Sequence, residues 1–170
     1  LAQTVGDLLY LAQAEAPGAL PSREPVALDA VVDSLLEFYD LLAEDRQLTL
    51  RRDGVASVEG NRLMLHRAIA NLLSNALKHA AVGSEVRVQL VEGDGVCRVS
   101  VHNLGPPIAE AALPRLFDRF YRGERGRHEG AGLGLAITRA IAQAHGGTVS
   151  VTSDETGTVF ELVLPSASAR

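Results

Sequence analysis

Apolar residues recur along this chain in two rhythms. In LAQTVGDLLYLAQAEA, positions 1, 5, 8, 9, 11 and 12 are apolar, and that spacing predicts a helix over 1–16. PGALPSREP holds three prolines and a glycine and breaks the rhythm, so 17–25 is expected to be a linker, with a domain beginning at 26. The helical spacing returns over 29–45, where Val31, Val32, Leu35, Leu36, Tyr39 and Leu42 are expected to face inward. It returns again over 61–80, with Asn61 placed to cap the first turn.

The second rhythm is strict alternation. QLTLRR and VASVEG are short and alternating and predict two strands around Asp53 and Gly54. Val86, Val88 and Leu90 alternate, GDG turns, and Val96 to Val101 alternate back, which is a hairpin. TVSVTS and TVFELVLP predict a second hairpin through residues 154–157. Between the hairpins, 106–130 is rich in Arg, Gly and Pro, with a short helix expected over 109–116; a loop of this length inside a domain reads as a lid or binding loop. Residues 133–145 are helical in pattern and Gly146-Gly147 closes them. The order predicts an α+β two-layer sandwich: a mixed, mostly antiparallel sheet covered on one face by about three helices.

Composition narrows the function classes. A net charge of −5 argues against nucleic acid as partner, since such binders carry a basic face. Cys97, the only cysteine, cannot build a disulfide framework or a metal cluster by itself and reads as a core strand residue. No apolar run reaches the roughly 18 residues a membrane span requires. The chain opens on Leu1 in mid-helical pattern, without Met, and is expected to be a piece of a longer protein.

Four stretches carry candidate chemistry, and each is ordinary when taken alone. GAGLGLAI sets Gly130, Gly132 and Gly134 before an apolar helix, an arrangement that offers backbone N–H groups and a positive helix end to a phosphate. It is neither a dinucleotide fingerprint nor a Walker loop, because Leu135 stands where a third glycine would fall and no Lys follows. In ANLLSNALKHA, Asn71 and Asn75 lie four apart on one helical face, followed by Lys78 and His79; a carboxamide oxygen suits Mg²⁺ that also carries phosphate oxygens. NLGPPI places Asn103 at a strand end before Gly105 and Ile108, where its carboxamide can meet a flat base edge. LFDRFYR spaces Phe117 and Phe120 as a pair that can anchor a lid, with Arg122 among several arginines able to meet phosphate.

The order of these pieces resembles the catalytic, ATP-binding domain of bacterial sensor histidine kinases, in the GHKL or Bergerat-fold ATPase superfamily. The resemblance runs from about residue 25 to 165. It implies ATP and Mg²⁺ as cofactors, with Asn75 the Mg²⁺ ligand and Asn71, Lys78 and His79 around the phosphates. It also implies Asn103, Gly105 and Ile108 at the adenine, Phe117, Phe120 and Arg122 in the lid, Gly130, Gly132, Leu133, Gly134 and Leu135 by the phosphates, and Thr158 on the last strand pair. The string from NLGPPI to LPRLFDRFYRG is similar to the heavy-metal (copper or silver) sensor kinases.

The same resemblance makes 1–16 the end of a dimerisation and phosphotransfer helix and 26–170 the catalytic domain. The implied partners are the upstream dimerisation domain in a homodimeric parent and a response regulator. The implied location is the cytoplasmic portion of an inner-membrane sensor. Two departures bear on activity. Asn103 and Pro107 stand where the family carries Asp and Gly, which keeps open a degenerate nucleotide-binding or docking module with weak or no ATP binding. None of His66, His79, His102, His128 and His145 lies in an H-E-x-R-T-P context, so the acceptor is expected upstream. A water-using ATPase of the gyrase, Hsp90 or MutL type resembles E-x-x-x-N on this helix, whereas Asn71 cannot take a proton.

Overall fold

A computed structural model describes residues 2–123 and 132–167. The expected α+β sandwich is present. Helix α1 (Ala2–Glu15) leads to strand β1 (Glu24–Ala27), helix α2 (Leu28–Asp45), strands β2 (Thr49–Asp53) and β3 (Ser57–Gly60), and helix α3 (Arg62–His79). The hairpin β4 (Glu85–Gly93) and β5 (Val96–Asn103) follows, then helix α4 (Gly134–Ala144) and the hairpin β6 (Thr148–Asp154) and β7 (Gly157–Pro165).

Five strands form one sheet in the order β2-β4-β5-β7-β6, parallel only between β2 and β4. β1 and β3 form a separate antiparallel ribbon. The strands on either side of Asp53-Gly54 therefore belong to different sheets. Gly54 has φ +85°, and a Cβ there would stand 2.0 Å from Leu90 O, so only glycine lets the chain leave β2 so close to β4.

Alternation sorts the sheet's two faces. Val86, Val88, Leu90, Cys97, Val99, Val101, Phe160, Leu162 and Leu164 are all buried on one face. The opposite face is polar, with Arg98 paired to Glu161 at 3.1 Å. The buried face is covered by α2, α3 and α4. α3 supplies Leu65, Ala68, Ile69, Leu72, Leu73, Ala76 and Leu77, and α4 supplies Ala136, Ile137, Ala140 and Ile141. Each fully buried Leu or Ile contributes about 1.5–3 kcal/mol relative to exposure, so this interlayer is the main source of stability.

Helix ends fix where α3 and α4 point. Asn61 caps α3 as expected, its Oδ1 accepting from Met64 N–H at 3.0 Å. The Asn61 N–H in turn donates to His145 Nε2 at 3.0 Å, while His145 Nδ1 lies 2.8 Å from Ile141 O. A backbone N–H can only donate and a carbonyl can only accept, so His145 is the neutral Nδ1–H tautomer. Burial pushes its pKa below the ordinary 6.5. Gly146, at φ +75°, then ends α4 in the left-handed conformation.

Helix α1 lies on α4 and α3. Leu11 and Ala14 are buried there, Asp7 pairs with Arg67 at 2.6 Å, and the Arg67 guanidinium sits 4.0 Å over the Tyr10 ring. Arg119 contacts Glu15 at the helix end. The apolar stripe of α1 is thereby divided: Leu11 meets the domain, while Val5 and Leu9 are exposed.

Four local expectations are corrected. Glu24 and Pro25 are strand residues rather than linker, and Pro25 is tolerated because the two-stranded ribbon leaves one side of each strand unpaired. The expected helix over 109–116 is only a 3-10 turn at Leu113–Arg115, with Pro114 at its start. Leu42 is exposed although it falls on the angular stripe of Leu28, Val31, Val32 and Leu35, because in the last turn of α2 only Ala43 is buried. Phe117 and Phe120 do not pack as a pair. Phe117 meets Phe160 edge-on at 6.1 Å, whereas Phe120 adopts φ +63° and turns its ring out to 54% exposure.

Candidate functional site

At one end of the sheet's inner face the apolar rows give way to a buried polar one. In register, Asn103 faces Thr158 across β5 and β7, and Thr158 faces Ser153 across β7 and β6. Val86 closes the row on the other side of Asn103. One step inward the row is Val88, Val101, Phe160 and Val151, which is wholly apolar. Asn103 and Thr158 are both buried, and buried polar groups are costly unless they find partners.

Those partners are local. Ser153 Oγ lies 2.7 Å from Thr158 Oγ1 and accepts from Ile108 N–H at 2.9 Å. Asn103 Nδ2 donates to Leu104 O at 3.2 Å. Gly105 is there for close approach: a Cβ would come within 2.4 Å of His79 O, so the loop after β5 runs against the C-terminus of α3. Asn103, Gly105, Ile108, His79 and Thr158 are thus gathered at one end of the molecule. A cleft of about 360 Å³ opens beside them, lined by Pro107, Ile108, Leu116, Tyr121 and Arg122, with the Arg115 guanidinium 4.7 Å over the Tyr121 ring.

The two asparagines of α3 have different employment. Asn71 Nδ2 donates to Gly134 O at 3.0 Å and reaches Thr138 Oγ1 at 3.4 Å. It ties the middle of α3 to the first turn of α4. Gly134 packs directly on this carboxamide, since a Cβ would sit 3.6 Å from Asn71 Cγ. Asn75, one turn further on, is half-buried and makes no side-chain hydrogen bond to a described residue. Lys78 and His79 are exposed on the last turn and each takes part in a polar contact.

The glycine-rich turn serves the backbone first. Gly132 has φ +75°, and a Cβ would stand 2.8 Å from Phe120 C and 2.9 Å from Tyr121 O. Its carbonyl accepts from Phe120 N–H at 3.0 Å. The turn therefore fastens Phe120 and Tyr121 to the start of α4. Leu133 is buried in the core, Leu135 is half-buried, and α4 starts with no side-chain cap among the described residues, which sets its first-turn N–H groups and positive helix end beside Asn71. Arg122 is exposed, and Gly130 lies outside the described residues.

Ser153 joins the site without belonging to any motif named from sequence, and Tyr121, inside LFDRFYR, joins it without a role assigned there. Ser153 has one legible signal: it breaks the inward alternation Val149, Val151, Ser153 at the end where a core residue would otherwise stand.

This arrangement has known relatives. The model of the histidine kinase-, DNA gyrase B- and HSP90-like ATPases matches residues 60–168. The chain belongs to this family. Sensor histidine kinase CusS of Escherichia coli strain K12 is 46% identical over 169 residues, covering 97% of this chain and 35% of the relative. The chain thus spans about a third of the length of that curated relative (35%). The solved mycobacterial sensor histidine kinase MprB is 31% identical with a TM-score of 0.74, covering 85% of this chain and 97% of that one. Full-length ShkA in complex with AMPPNP is 27% identical with a TM-score of 0.83, covering 96% and 35%. Members of the family bind ATP, usually with Mg²⁺. The degenerate-module alternative finds no support among these relatives.

The residues present fit such a ligand. A buried Asn–Thr row joined through Ser153 to Ile108, at the edge of that cleft, suits a base, and the start of α4, one turn of α3 from the unengaged Asn75 carboxamide, suits phosphate and a hard cation.

Proposed function

We propose that this chain is the catalytic domain of a two-component sensor histidine kinase, binding Mg-ATP between α3 and the loop over 104–123. ATP, when bound, supplies the γ-phosphoryl group. The chain's own residues hold it. Asn103 and Thr158 receive the base, with Gly105 and Ile108 beside it. Asn75 offers its carboxamide oxygen to Mg²⁺. Lys78, His79, Arg122, Gly130, Gly132, Leu133 and the first turn of α4 at Gly134 and Leu135 are assigned to the phosphates. Phe117 and Phe120 delimit the lid.

The observation that carries this reading is the engagement of Asn71. Its amide is spent on Gly134 O, and as a carboxamide it cannot take a proton from water. One turn before Asn75, then, stands a structural tie where hydrolysis would call for a carboxylate. That supports transfer over hydrolysis. Transfer itself would consist of positioning and charge neutralisation, with the nucleophile supplied from elsewhere.

The acceptor histidine, on this reading, belongs to an upstream dimerisation and phosphotransfer domain, with residues 1–16 the end of its second helix, 17–23 the joint and the catalytic domain running from β1 at Glu24 to 170. The parent is a homodimer, a response regulator is its next partner, and nucleic acid is not. Identity with CusS supports a place among the heavy-metal sensors, with this chain on the cytoplasmic side of a membrane-anchored parent. No helix among the described residues is long and apolar enough to cross a membrane.

Calorimetric titration with Mg-ATP tests the reading. The wild-type chain should bind, and Asn75→Ala should weaken the Mg²⁺-dependent part by about tenfold or more, a loss of about 1.4 kcal/mol or more. No binding at millimolar Mg-ATP, or equal binding by the variant, would overturn it.

A further inference from the structure

We propose that Ser153 is the positioning residue that sets which base this site accepts, by fixing the direction in which the Thr158 hydroxyl donates. The inference rests on the nucleotide reading above and adds to it a source of specificity.

The argument begins with Ile108. Its backbone N–H can only donate, and it donates to Ser153 Oγ at 2.9 Å. An oxygen that accepts a hydrogen bond becomes a better donor through its own O–H. The neighbour within reach is Thr158 Oγ1, at 2.7 Å. The cooperative chain therefore runs from Ile108 N–H to Ser153 O–H to Thr158 Oγ1. Thr158, having accepted, keeps its own proton for a group outside the protein.

Asn103 supplies the complement. Its Nδ2 is turned to Leu104 O at 3.2 Å and lies on the Gly105 side. That leaves Oδ1 as the carboxamide group for a ligand, on a residue in register with Thr158. The row thus presents one acceptor, Asn103 Oδ1, and one donor, Thr158 O–H. The pairing edge of adenine offers the opposite pair, an exocyclic amino donor beside a ring-nitrogen acceptor. Guanine offers O6 as acceptor beside N1–H as donor, which sets like against like on both bonds. A neutral Asn at position 103 could serve either base by rotating its amide, so discrimination depends on what holds the two groups. Leu104 O holds one and Ser153 holds the other. The loop carrying Ile108 is held by the same hydroxyl, so base orientation and loop position are set together.

The test compares ADP with GDP by calorimetry in Mg²⁺ buffer, using the whole chain. Wild type should prefer ADP. Ser153→Ala should weaken ADP roughly three- to tenfold, the size of one neutral hydrogen bond, with GDP nearly unchanged, so the selectivity ratio falls by that factor. Ser153→Thr, which retains the hydroxyl, should restore the ratio. Thermal melts report whether each variant folds; if Ser153→Ala does not, Thr158→Val carries the test and should lose the same selectivity. An unchanged GDP/ADP ratio in a folded Ser153→Ala or Thr158→Val protein overturns the relay while leaving the nucleotide site standing. Failure of the folded wild type to bind either nucleotide overturns the site and the relay together.

Discussion

The two ends of the sheet's inner face are built from the same strands and differ in one respect. At the end carrying Cys97, Leu90 and Leu164, the buried inward positions of β4, β5 and β7 are apolar and covered by helices, and only beyond them, at the rim, does Ser166 donate to Glu92. At the other end the same alternation delivers Asn103, Thr158 and Ser153. α3 and α4 span both ends: Asn61 and His145 bind each other at the sealed end, while Asn71 and Gly134 do so toward the polar one. The lesson is that a site can be made by ending a hydrophobic pattern one row early, without altering the fold that carries it. Stability should then depend on the sealed end and ligand recognition on the polar end.

The largest expected effect breaks the sealed end. Leu162 is fully buried in mid-sheet, and Leu162→Ala should cost about 2–5 kcal/mol through lost burial and an unfilled cavity. The Tm should fall by roughly 5–15 °C, read by calorimetry. Nucleotide affinity, measured well below that Tm, should stay within about twofold because no group of the polar row is touched. A large loss of affinity with a small loss of stability would show that the two ends are not separable.

A smaller effect is pH-dependent. His145 is held neutral by a donor on one ring nitrogen and an acceptor on the other, and burial lowers its pKa from 6.5. The unfolded chain protonates near 6.5 while the folded chain resists, so the unfolded state gains protons as pH falls below that value. The stability present above pH 6.5 is therefore lost progressively as pH drops through the window beneath it. Urea unfolding at pH 7.5 and 5.5 should show this loss in wild type and a smaller one in His145→Gln, which keeps an acceptor without titrating near neutrality. Equal losses in both would place the acid sensitivity elsewhere.

Much of the fold was legible because its signals are local and periodic. The inward alternation of Val86, Val88 and Leu90, the stripe of α3 and the Asn61 cap are each decided within a few residues. The pairing of β2 with β4 rather than with β3 is not local, since it turns on the clearance between Gly54 and Leu90 O. Leu42 misled because it lies on the apolar stripe by angle while the last turn of α2 buries only Ala43, a limit that helical spacing does not reveal. Phe120 misled because a left-handed backbone cannot be read from a phenylalanine, which rarely adopts one.

The candidate site divides the same way. Asn75, Asn103 and the glycines were visible through their order along the chain. The different employment of Asn71 and Asn75 was not, because it depends on α4 lying against one turn of α3 and not the next. Ser153 stayed hidden as one hydroxyl in an exposed-looking hairpin. Its meaning appears only when register sets it beside Thr158.

The most direct measurement is amide and side-chain chemical-shift mapping by NMR as Mg-ADP is added to the wild-type chain. The account predicts the largest shifts at the Asn75 and Asn103 carboxamides, at Ile108 and Thr158 and in the first turn of α4, with Cys97, Leu164 and His145 nearly unmoved. Shifts centred on the sealed end, or none at saturating Mg-ADP, would contradict it.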